Sequence, residues 1–425
     1  MDLFPGLPAP FAIEAMYGKA ALYLVALLIG FAFGYLLEMG GFGNSKKLAA
    51  QFYLHDMTVF KVMFTGILVA MVLIFATVGL GWLEFNRVSV NLTYLWPGIV
   101  GGLIMGVGFI VGGFCPGTSL VAVATFKKDG MFFVLGLLVG IFAFGESIDA
   151  LFSDFWNSSN MGRFTLPELF GLPVGVVVLA IVAGAVGLFW LVEKVERWMG
   201  GASPAPSSSR LKWIGAVTLI AAAAVVMLIG QPTSQEKWER IAAQKQPLLD
   251  SRSVQIHPAE LLAYIDNDQV EVIMLDLRAE KDFNLFHLQD AQRVTLSQLP
   301  SLVKTLLQMP ANTLFVTMSN DEGQATEAWK LLVAESLTNV YILEGGINHW
   351  LDTFNIEPNV GVEGLAVAML PRPRADVPNG SDFLRYDFPA ALGSQYPAAA
   401  PEPHNYELEY TPKVKLQVKQ VTGGG

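Results

Sequence analysis

Long apolar segments without charged residues constrain this chain more than any other feature of its sequence. An α-helix needs about 18–20 apolar residues to cross roughly 30 Å of hydrocarbon. Six segments approach or reach this length: Ala20–Leu37, Val62–Leu83, part of Val88–Phe126, Gly130–Gly145, Leu172–Val192 and Trp213–Gly230. With 53% hydrophobic and only 15% charged residues, the chain is also too apolar for an ordinary soluble enzyme. The sequence therefore predicts a polytopic α-helical membrane domain with about six spans.

The third apolar segment is unusual because it is too long for one crossing. Val88–Phe126 contains 39 residues without a charge. Its C-terminal part, Gly112–Thr118, reads GGFCPGT and is a poor helix former. Irregular backbone at membrane depth is tolerated only where it is buried in protein or lines a cavity. We therefore expect this part to dip into protein rather than lipid.

The basic residues of the short loops predict the orientation of the spans. With the N-terminus outside, three lie outside (Lys19, Arg87, Arg163) and nine inside: Lys46, Lys47, Lys61, Lys127, Lys128, Lys194, Arg197, Arg210 and Lys212. The first residues lack a basic segment, so they do not resemble a cleaved signal peptide. Six spans then place everything after Gly230 outside as well. The predicted location is the bacterial inner membrane, with the N-terminus and the C-terminal domain periplasmic.

The charges and the cysteine content exclude several classes of partner and cofactor. Residues 1–233 hold 12 basic and 12 acidic residues, whereas residues 234–425 hold 15 and 25, so the net charge of −10 lies entirely in the C-terminal part. Such a domain is not expected to bind nucleic acid. The single cysteine, Cys115, rules out an intramolecular disulfide, a CxxC pair and a CxxCH haem attachment. The five histidines show no metal-ligand spacing, so we predict no metal site and no cofactor.

Two glycine-rich segments carry a resemblance to a known family. Gly101–Gly108 reads GGLIMGVG and is followed by the GGFCPGT segment. Together they resemble the signature of the YeeE/YedE family of thiosulfate and sulfur-compound transporters. His55–Met63, before the second span, and Gly162–Gly171, before the fifth, fit the layout of half-length members of that family. The resemblance covers roughly residues 20–195.

The resemblance implies a pathway in which Cys115 passes a sulfur-containing anion inward while its thiol hydrogen-bonds the substrate. The predicted substrate-binding residues are Gly113, Cys115, Pro116, Gly117 and Thr118. Proline and glycine interrupt the helix here, so backbone N–H groups can face an anion, and the threonine adds a hydroxyl donor. A soft thiol also suits a sulfur ligand. The alternative is that the cysteine is a small buried apolar residue.

The chain departs from the family because it contains only one half. Full-length members have two inverted halves and several cysteines, whereas the early loop Gly40–Ser45 of this chain has no thiol. A relay of several cysteines is therefore impossible in one chain. Either a second half comes from another copy or partner, or transport has been lost. Small residues at GxxxG spacing also favour close helix packing, and we expect a homodimer or a complex with another membrane subunit. These pairs are Gly30/Gly34, Gly102/Gly106, Gly108/Gly112 and Gly136/Gly140.

After the sixth span the pattern changes to alternating strands and helices, which predicts a parallel sheet. The predicted strands are Val270–Leu277, Thr313–Met318 and Tyr341–Leu343, and the predicted helices are Pro258–Tyr264, Leu299–Leu307 and Ala325–Glu335. Gln231–Asp250 is interpreted as a polar connector. The predicted division of the chain is a membrane domain at 1–200, an inner loop with the sixth span and connector at 201–247, an α/β domain at 248–356 and a tail at 357–425.

The α/β part resembles a rhodanese domain. Leu275–Arg278 gives the Asp-x-Arg strand end, Phe283 and His287 belong to a Phe-x-x-x-His-x-x-x-Ala segment that ends at Ala291, and Leu343–Trp350 gives the closing Gly-Gly-x-x-x-Trp. We expect Asp276 and Arg278 to form a structural ion pair and loop hydrogen bonds rather than to act as catalytic groups, and His287 to bond backbone in the turn rather than to bind a metal.

The loop after the central strand departs from the rhodanese pattern. A rhodanese carries sulfur as a persulfide on a cysteine in a loop resembling Cys-x-x-Gly-x-Arg. Here the degenerate loop is built on Ser319, Asn320 and Gly323, without thiol or arginine, and Asp321 and Glu322 would repel an anion. Since a serine cannot form a persulfide, we expect no catalysis, and binding, docking or scaffolding remain as roles.

Residues 357–412 are rich in Pro, Ala, Tyr and acidic residues and precede a predicted strand, Val414–Val418. This tail is interpreted either as disordered or as an arm that wraps a periplasmic protein partner.

Two hypotheses about function follow. The first is a membrane protein that binds or transports a sulfur-containing anion such as thiosulfate and carries a non-catalytic periplasmic rhodanese-like module. The second is a non-catalytic accessory or scaffold subunit of a larger inner-membrane complex, such as a respiratory electron-transfer complex.

Overall fold

The computed structural model describes residues 9–11, 13–88, 90–199, 206–310, 312–354, 371–379, 381–406 and 408–416. Two compact units account for these residues. The membrane unit comprises the described parts of Pro8–Phe85 and Val90–Gln231, and the soluble unit comprises those of Asn86–Ser89 and Pro232–Gly425.

Helices make up the membrane unit. In chain order they are α1 Ile13–Tyr17, α2 Lys19–Met39, α3 Ser45–Ala49, α4 Thr58–Gly79, α5 Leu95–Gly112, α6 Pro116–Ala124, α7 Lys128–Leu151, α8 Ser153–Trp156, α9 Leu166–Phe170, α10 Val174–Trp198 and α11 Pro206–Ile229. Six segments are long and apolar enough to cross a membrane: α2, α4, α5 with α6, α7, α10 and the Arg210–Ile229 part of α11. The predicted six-span membrane domain is confirmed.

Two buried clusters hold the membrane unit together. The first joins α4, α10 and α11 through branched side chains that interdigitate: Leu68, Val72, Val178, Val182 and Val226. The second surrounds the short helices α3 and α6 and contains Phe42, Leu48, Val59, Phe114 and Ala122. The second cluster packs around the interruption of the third span.

Most glycines of the GxxxG pairs face open space on the side where a Cβ would lie. Gly112 is the exception, since a Cβ there would overlap the Phe133 ring. A Cβ would meet no described atom within 4 Å at the other seven: Gly30, Gly34, Gly102, Gly106, Gly108, Gly136 and Gly140. Among the described residues, these glycines therefore do not serve packing within one chain.

The soluble unit is built on a five-stranded parallel sheet in the order β1-β5-β4-β2-β3. Its strands are β1 Gln255–Ile256, β2 Val272–Asp276, β3 Gln292–Arg293, β4 Leu314–Met318 and β5 Val340–Leu343. Its helices are α12 Ser234–Asp250, α13 Pro258–Ile265, α14 Glu280–Leu285, α15 Leu299–Leu306, α16 Gly323–Ala334 and α17 Gly346–Phe354. The predicted parallel α/β domain is confirmed.

The segment interpreted as a polar connector is in fact the 17-residue helix α12. Thr233 caps its N-terminus, and Glu236 completes a capping box with it. Trp238 packs edge-on against Trp329 of α16, with 5.9 Å between ring centroids. The polar segment after the sixth span is thus helical, and its helix is attached to the soluble unit by a few apolar contacts such as that of Trp238.

The described residues of the tail also pack on the soluble unit. Leu384, Tyr386, Tyr396, Ala398 and Ala399 are all buried in its core. A short antiparallel pair, β6 Arg372–Pro373 with β7 Tyr386–Asp387, begins this segment. Of the predicted strand Val414–Val418, residues 414–416 form no strand and the last two lie outside the described residues. Residues 371–416 therefore belong to the folded soluble unit where they are described.

Candidate functional site

The third span is interrupted between α5 and α6, as the sequence predicts. The 18 residues of α5 extend about 27 Å, which is nearly the thickness of the hydrocarbon. Gly113 follows with φ +70, a left-handed conformation that costs other residues roughly 1–2 kcal/mol. Ser45 of α3 closes the space beside it, because a Cβ would lie 3.1 Å from the Ser45 Cβ. Only glycine fits here without strain.

Cys115 is the cap residue of the nine-residue helix α6. The Thr118 N–H points at the thiol sulfur at 3.4 Å, while the Cys115 N–H donates to the Thr118 hydroxyl at 3.0 Å. The hydroxyl also lies 3.2 Å from the sulfur. Thr118 is buried whereas Cys115 is half-buried. The cysteine is therefore held in one orientation by the first turn of the helix.

The first turn of α6 leaves one backbone donor open. Pro116 has no N–H, and the N–H groups of Thr118 and Ser119 bond to the sulfur and the carbonyl oxygen of Cys115. The Gly117 N–H has no hydrogen bond to any described residue, and a Cβ at that position would meet nothing within 4 Å. Helix N-termini favour negative charge. An anion at this end of α6 would thus meet an open N–H, a thiol and the positive end of a helix.

The structure brings the early glycine loop to this site, which the sequence did not predict. Asn44 caps α3 by accepting the Lys46 N–H at 3.0 Å, and Ser45 lies against Gly113. Ser119 is fully buried and donates to the Pro116 carbonyl oxygen at 2.7 Å. The Asn44 cap could have been expected from the sequence, because an Asn-Ser pair after a glycine run is typical of a helix start.

An ion pair lies at the other end of α6. The Lys127 ammonium lies 3.2 Å from Glu38 at the end of α2. Gly43 lies beside both, since its Cβ would be 2.6 Å from the Glu38 carboxylate and 2.8 Å from the ammonium. The pair therefore joins the turn between α6 and α7 to the end of α2.

In the soluble unit, the loop of Ser319 follows the central strand β4, between the ends of β2 and β5. Arg278, at the end of β2, forms a buried ion pair with Asp276 at 2.7 Å and donates to the Phe286 carbonyl oxygen at 2.7 Å. This is the structural ion pair expected from the sequence. The Arg278 guanidinium also donates to the side-chain oxygen of Asn320 at 3.4 Å.

Hydrogen bonds within the protein also engage the serine of this loop. The Ser319 hydroxyl donates to the Asp321 carbonyl oxygen at 2.8 Å and accepts the Ala325 N–H at 3.3 Å. The Ser319 carbonyl oxygen accepts the Ile347 N–H at 2.9 Å. Ser319 is 2% exposed. The position after the central strand is thus both polar and sealed.

Acidic side chains surround this loop, and two of them form ion pairs with basic residues. Glu322 binds Arg252 at 2.6 Å and accepts the Gly345 N–H at 2.7 Å. Burial, followed by the neighbouring Glu322 carboxylate, raises the pKa of Asp321. Although burial acts to raise it, Lys413 and Arg252 hold the pKa of Glu344 below its usual value. No cation of this network is left to attract a second anion.

Histidines do not form a metal site in the part of the chain that the structure describes. His287 bonds the Phe283 carbonyl oxygen at 2.7 Å, the backbone contact expected from the sequence. The described residues contain no group of three or more His, Cys, Asp or Glu side chains placed to hold a metal ion.

Six membrane helices with an interrupted third span, followed by a parallel α/β unit, define a polytopic membrane protein with a soluble module. Comparison with protein families identifies both parts. Residues 39–265, more than half of the chain, match the family described as sulphur transport, and residues 257–353 match the rhodanese-like domain. The chain therefore belongs to the sulphur transport family, to which the YeeE/YedE resemblance pointed. No curated protein and no solved structure matches the chain.

The two glycines of the site differ in what they tolerate. We predict that Gly113→Ala lowers the unfolding temperature of the membrane unit or its folded yield, since it adds about 1–2 kcal/mol of backbone strain and a contact with Ser45. Gly117→Ala is the matched control, because its Cβ enters open space in a helix. The measurement is thermal unfolding of the purified protein in detergent. Equal stability of the two variants would show that the break does not depend on Gly113.

Proposed function

We propose that the protein binds a sulfur-containing anion such as thiosulfate at the start of α6 and moves it across the bacterial inner membrane. The observation that carries the proposal is the half-buried thiol of Cys115 at the cap of a helix that begins inside an interrupted span. The match to the sulphur transport family supports the same chemistry. That this is a sulfur-related membrane protein follows from the family; the substrate and the transport step are our proposal.

Each residue of the proposed site has a separate role. The thiol of Cys115 offers a soft, polarizable contact to the terminal sulfur of thiosulfate. The open Gly117 N–H and the N-terminal end of α6 hold the negative charge. Thr118 orients the thiol, Gly113 provides the sharp break, and Pro116 starts the new helix without leaving an unbonded N–H. No covalent step is needed, since binding and release suffice for transport.

We further propose that the rhodanese-like module is not catalytic. A persulfide needs a cysteine, and the chain's one cysteine lies outside the matched range 257–353. The serine that follows β4 is buried, with its hydroxyl engaged twice within the loop. The acidic neighbours Asp321 and Glu322 add repulsion of an anionic sulfur donor.

The glycine faces of the spans support a partner in the membrane. Seven glycines of the GxxxG pairs meet no described atom of their own chain where a Cβ would lie. Small residues let helices of neighbouring subunits approach closely. We propose that a second copy, or another membrane subunit, supplies the half that full-length relatives carry in one chain.

The alternative is an accessory or scaffold subunit of a larger inner-membrane complex. Its support is the single thiol, which leaves no cysteine relay within one chain, and the sealed loop after β4. In that role the half-transporter and the rhodanese-like module would serve only as binding surfaces.

Thiosulfate uptake separates the two proposals. In a host whose growth depends on imported thiosulfate, we expect Cys115→Ala to reduce uptake by about tenfold or more, because a hydrogen-bonding and polarizable contact is lost. Thr118→Ser should retain most uptake since it keeps the hydroxyl. Ser319→Ala is the control and should behave as wild type. If Cys115→Ala supports wild-type uptake at equal expression, the transport proposal fails and the scaffold role is the better account.

The proposed orientation is tested with single reporter cysteines in a Cys115→Ser chain. The nine inside and three outside basic residues predict that a cysteine at the exposed position Ser251 reacts with an impermeant maleimide in intact spheroplasts. A cysteine at Met199, after the fifth span, should react only after lysis. The opposite pattern would place the soluble unit in the cytoplasm.

The missing thiol predicts that the full-length protein has no thiosulfate:cyanide sulfurtransferase activity above background. An active rhodanese assayed beside it provides the reference. The full-length protein is used because the tail cannot be removed: Leu384, Tyr386 and Tyr396 are part of the core of the soluble unit. Turnover at enzymatic rates would refute the non-catalytic assignment.

A further inference from the structure

A segment of the tail crosses the loop that follows the central strand. Residues 381–388, here called the strap, approach Ser319–Gly323 from the solvent side. The Asn320 amide donates to the Asp382 carbonyl oxygen at 3.0 Å. The Asp382 carboxylate lies against Gly323, where a Cβ would overlap it. The strap therefore occupies the space directly above the loop.

Helix α17 holds the strap from a second side. The Asn348 side chain donates to the Phe383 carbonyl oxygen at 2.9 Å and accepts the Arg385 N–H at 2.8 Å. This is the pairing that an amide makes with an extended backbone, so it does not depend on the side chains of the strap. Asn348 is 2% exposed. The amide is fixed in place by burial and serves the strap with both of its polar atoms.

Asp352, one turn later on α17, anchors the end of the strap. Its carboxylate accepts the Tyr386 hydroxyl at 2.5 Å and pairs with Arg385 at 3.0 Å. Leu384 and Tyr386 are buried in the core of the soluble unit. Phe383, which precedes them in the strap, is 70% exposed. The strap thus alternates between anchoring side chains and outward ones. Such alternation is expected of an extended segment bound along a surface.

The position of the strap matters because of what the loop is in this fold. Ligands of parallel α/β sheets bind beyond the carboxyl ends of the strands. Here that place lies at the Ser319–Gly323 loop, next to the ends of β2 and β5, and the strap contacts this loop at Asn320 and Gly323. We propose that the strap is an intramolecular ligand of the rhodanese-like module that closes the loop to sulfur anions and thiols. The closure is separate from the missing cysteine, so it would persist if a thiol were restored at position 319.

This inference goes beyond the proposed function, and its test measures neither transport nor turnover, so either can fail alone. The chain's single cysteine makes the experiment direct. In a full-length Cys115→Ala chain, Ser319→Cys provides one thiol under the strap, and Ser251→Cys provides one exposed thiol. The reaction rate with N-ethylmaleimide is measured on the purified protein in detergent. This reagent is neutral, so the surrounding carboxylates do not repel it. Because those carboxylates raise the pKa of a nearby thiol, each rate is measured over a range of pH and compared per thiolate.

We expect the thiol at position 319 to react at least about 100-fold more slowly than the one at 251, because it reacts only when the strap opens. Asp352→Asn should accelerate the reaction at 319 by about tenfold, since it weakens both charged anchor contacts. Glu327→Gln is the control: that exposed carboxylate pairs with Lys330 on α16, away from the strap, and its neutralisation should leave the rate unchanged. Tyr386→Phe, which removes a single hydroxyl, should give a smaller increase and serves if Asp352→Asn does not fold.

Two results would overturn the proposal. One is a thiol at 319 that reacts as fast as the exposed reporter while the strap is intact. The other is slow reaction that neither Asp352→Asn nor Tyr386→Phe accelerates, which would assign the protection to the loop itself.

Discussion

Backbone N–H and C=O groups released by a break in a membrane helix must find partners inside the protein, since hydrocarbon offers none. This constraint organises the membrane unit. Gly113 turns the chain, Pro116 has no N–H to satisfy, and the cap formed by Cys115 and Thr118 takes up the next donors. What remains is the Gly117 N–H. The same requirement that stabilises the break therefore also fixes the thiol beside an open donor, and the candidate site follows from the cap.

The soluble unit meets a comparable constraint in the opposite way. A loop beyond the end of a central strand exposes several polar groups, and in this chain the protein's own groups bind them. Ser319 is satisfied within the loop, Arg278 is consumed by Asp276 and Phe286, and Asn320 binds the tail. The side chains of Ser319, Asn320 and Arg278 are thus held by partners within the protein, which limits what they can offer a ligand. The tail thus contacts the loop of the rhodanese-like fold at Asn320 and Gly323.

The sequence predicted those parts of the fold that depend on local pattern. Apolar length identified six spans, and alternation identified β2, β4 and β5. It did not identify β1 and β3, since two residues carry no periodicity, or α12, whose few apolar contacts are scattered in a polar segment. At the candidate site the Gly-Phe-Cys-Pro-Gly-Thr segment could be identified from the sequence alone. The approach of Ser45 to Gly113 and of Asp382 to Gly323 was not, because each joins residues that are distant in sequence.

The acidic charge of the soluble unit affects whether this unit can bind a sulfur anion. The net charge of −10 lies in residues 234–425, which alone would repel thiosulfate. At physiological ionic strength, however, such a field is screened over about 8 Å, so only charges close to a binding position matter. Close to the Ser319 loop those charges are Asp321, Glu322 and Asp382, and the nearby cations Arg252 and Arg278 are already paired. The soluble unit is thus poorly suited to gathering an anion, whereas the start of α6 offers an open donor, a thiol and the positive end of a helix. The charges of the described residues therefore favour the start of α6 over the Ser319 loop as the place where an anion is held.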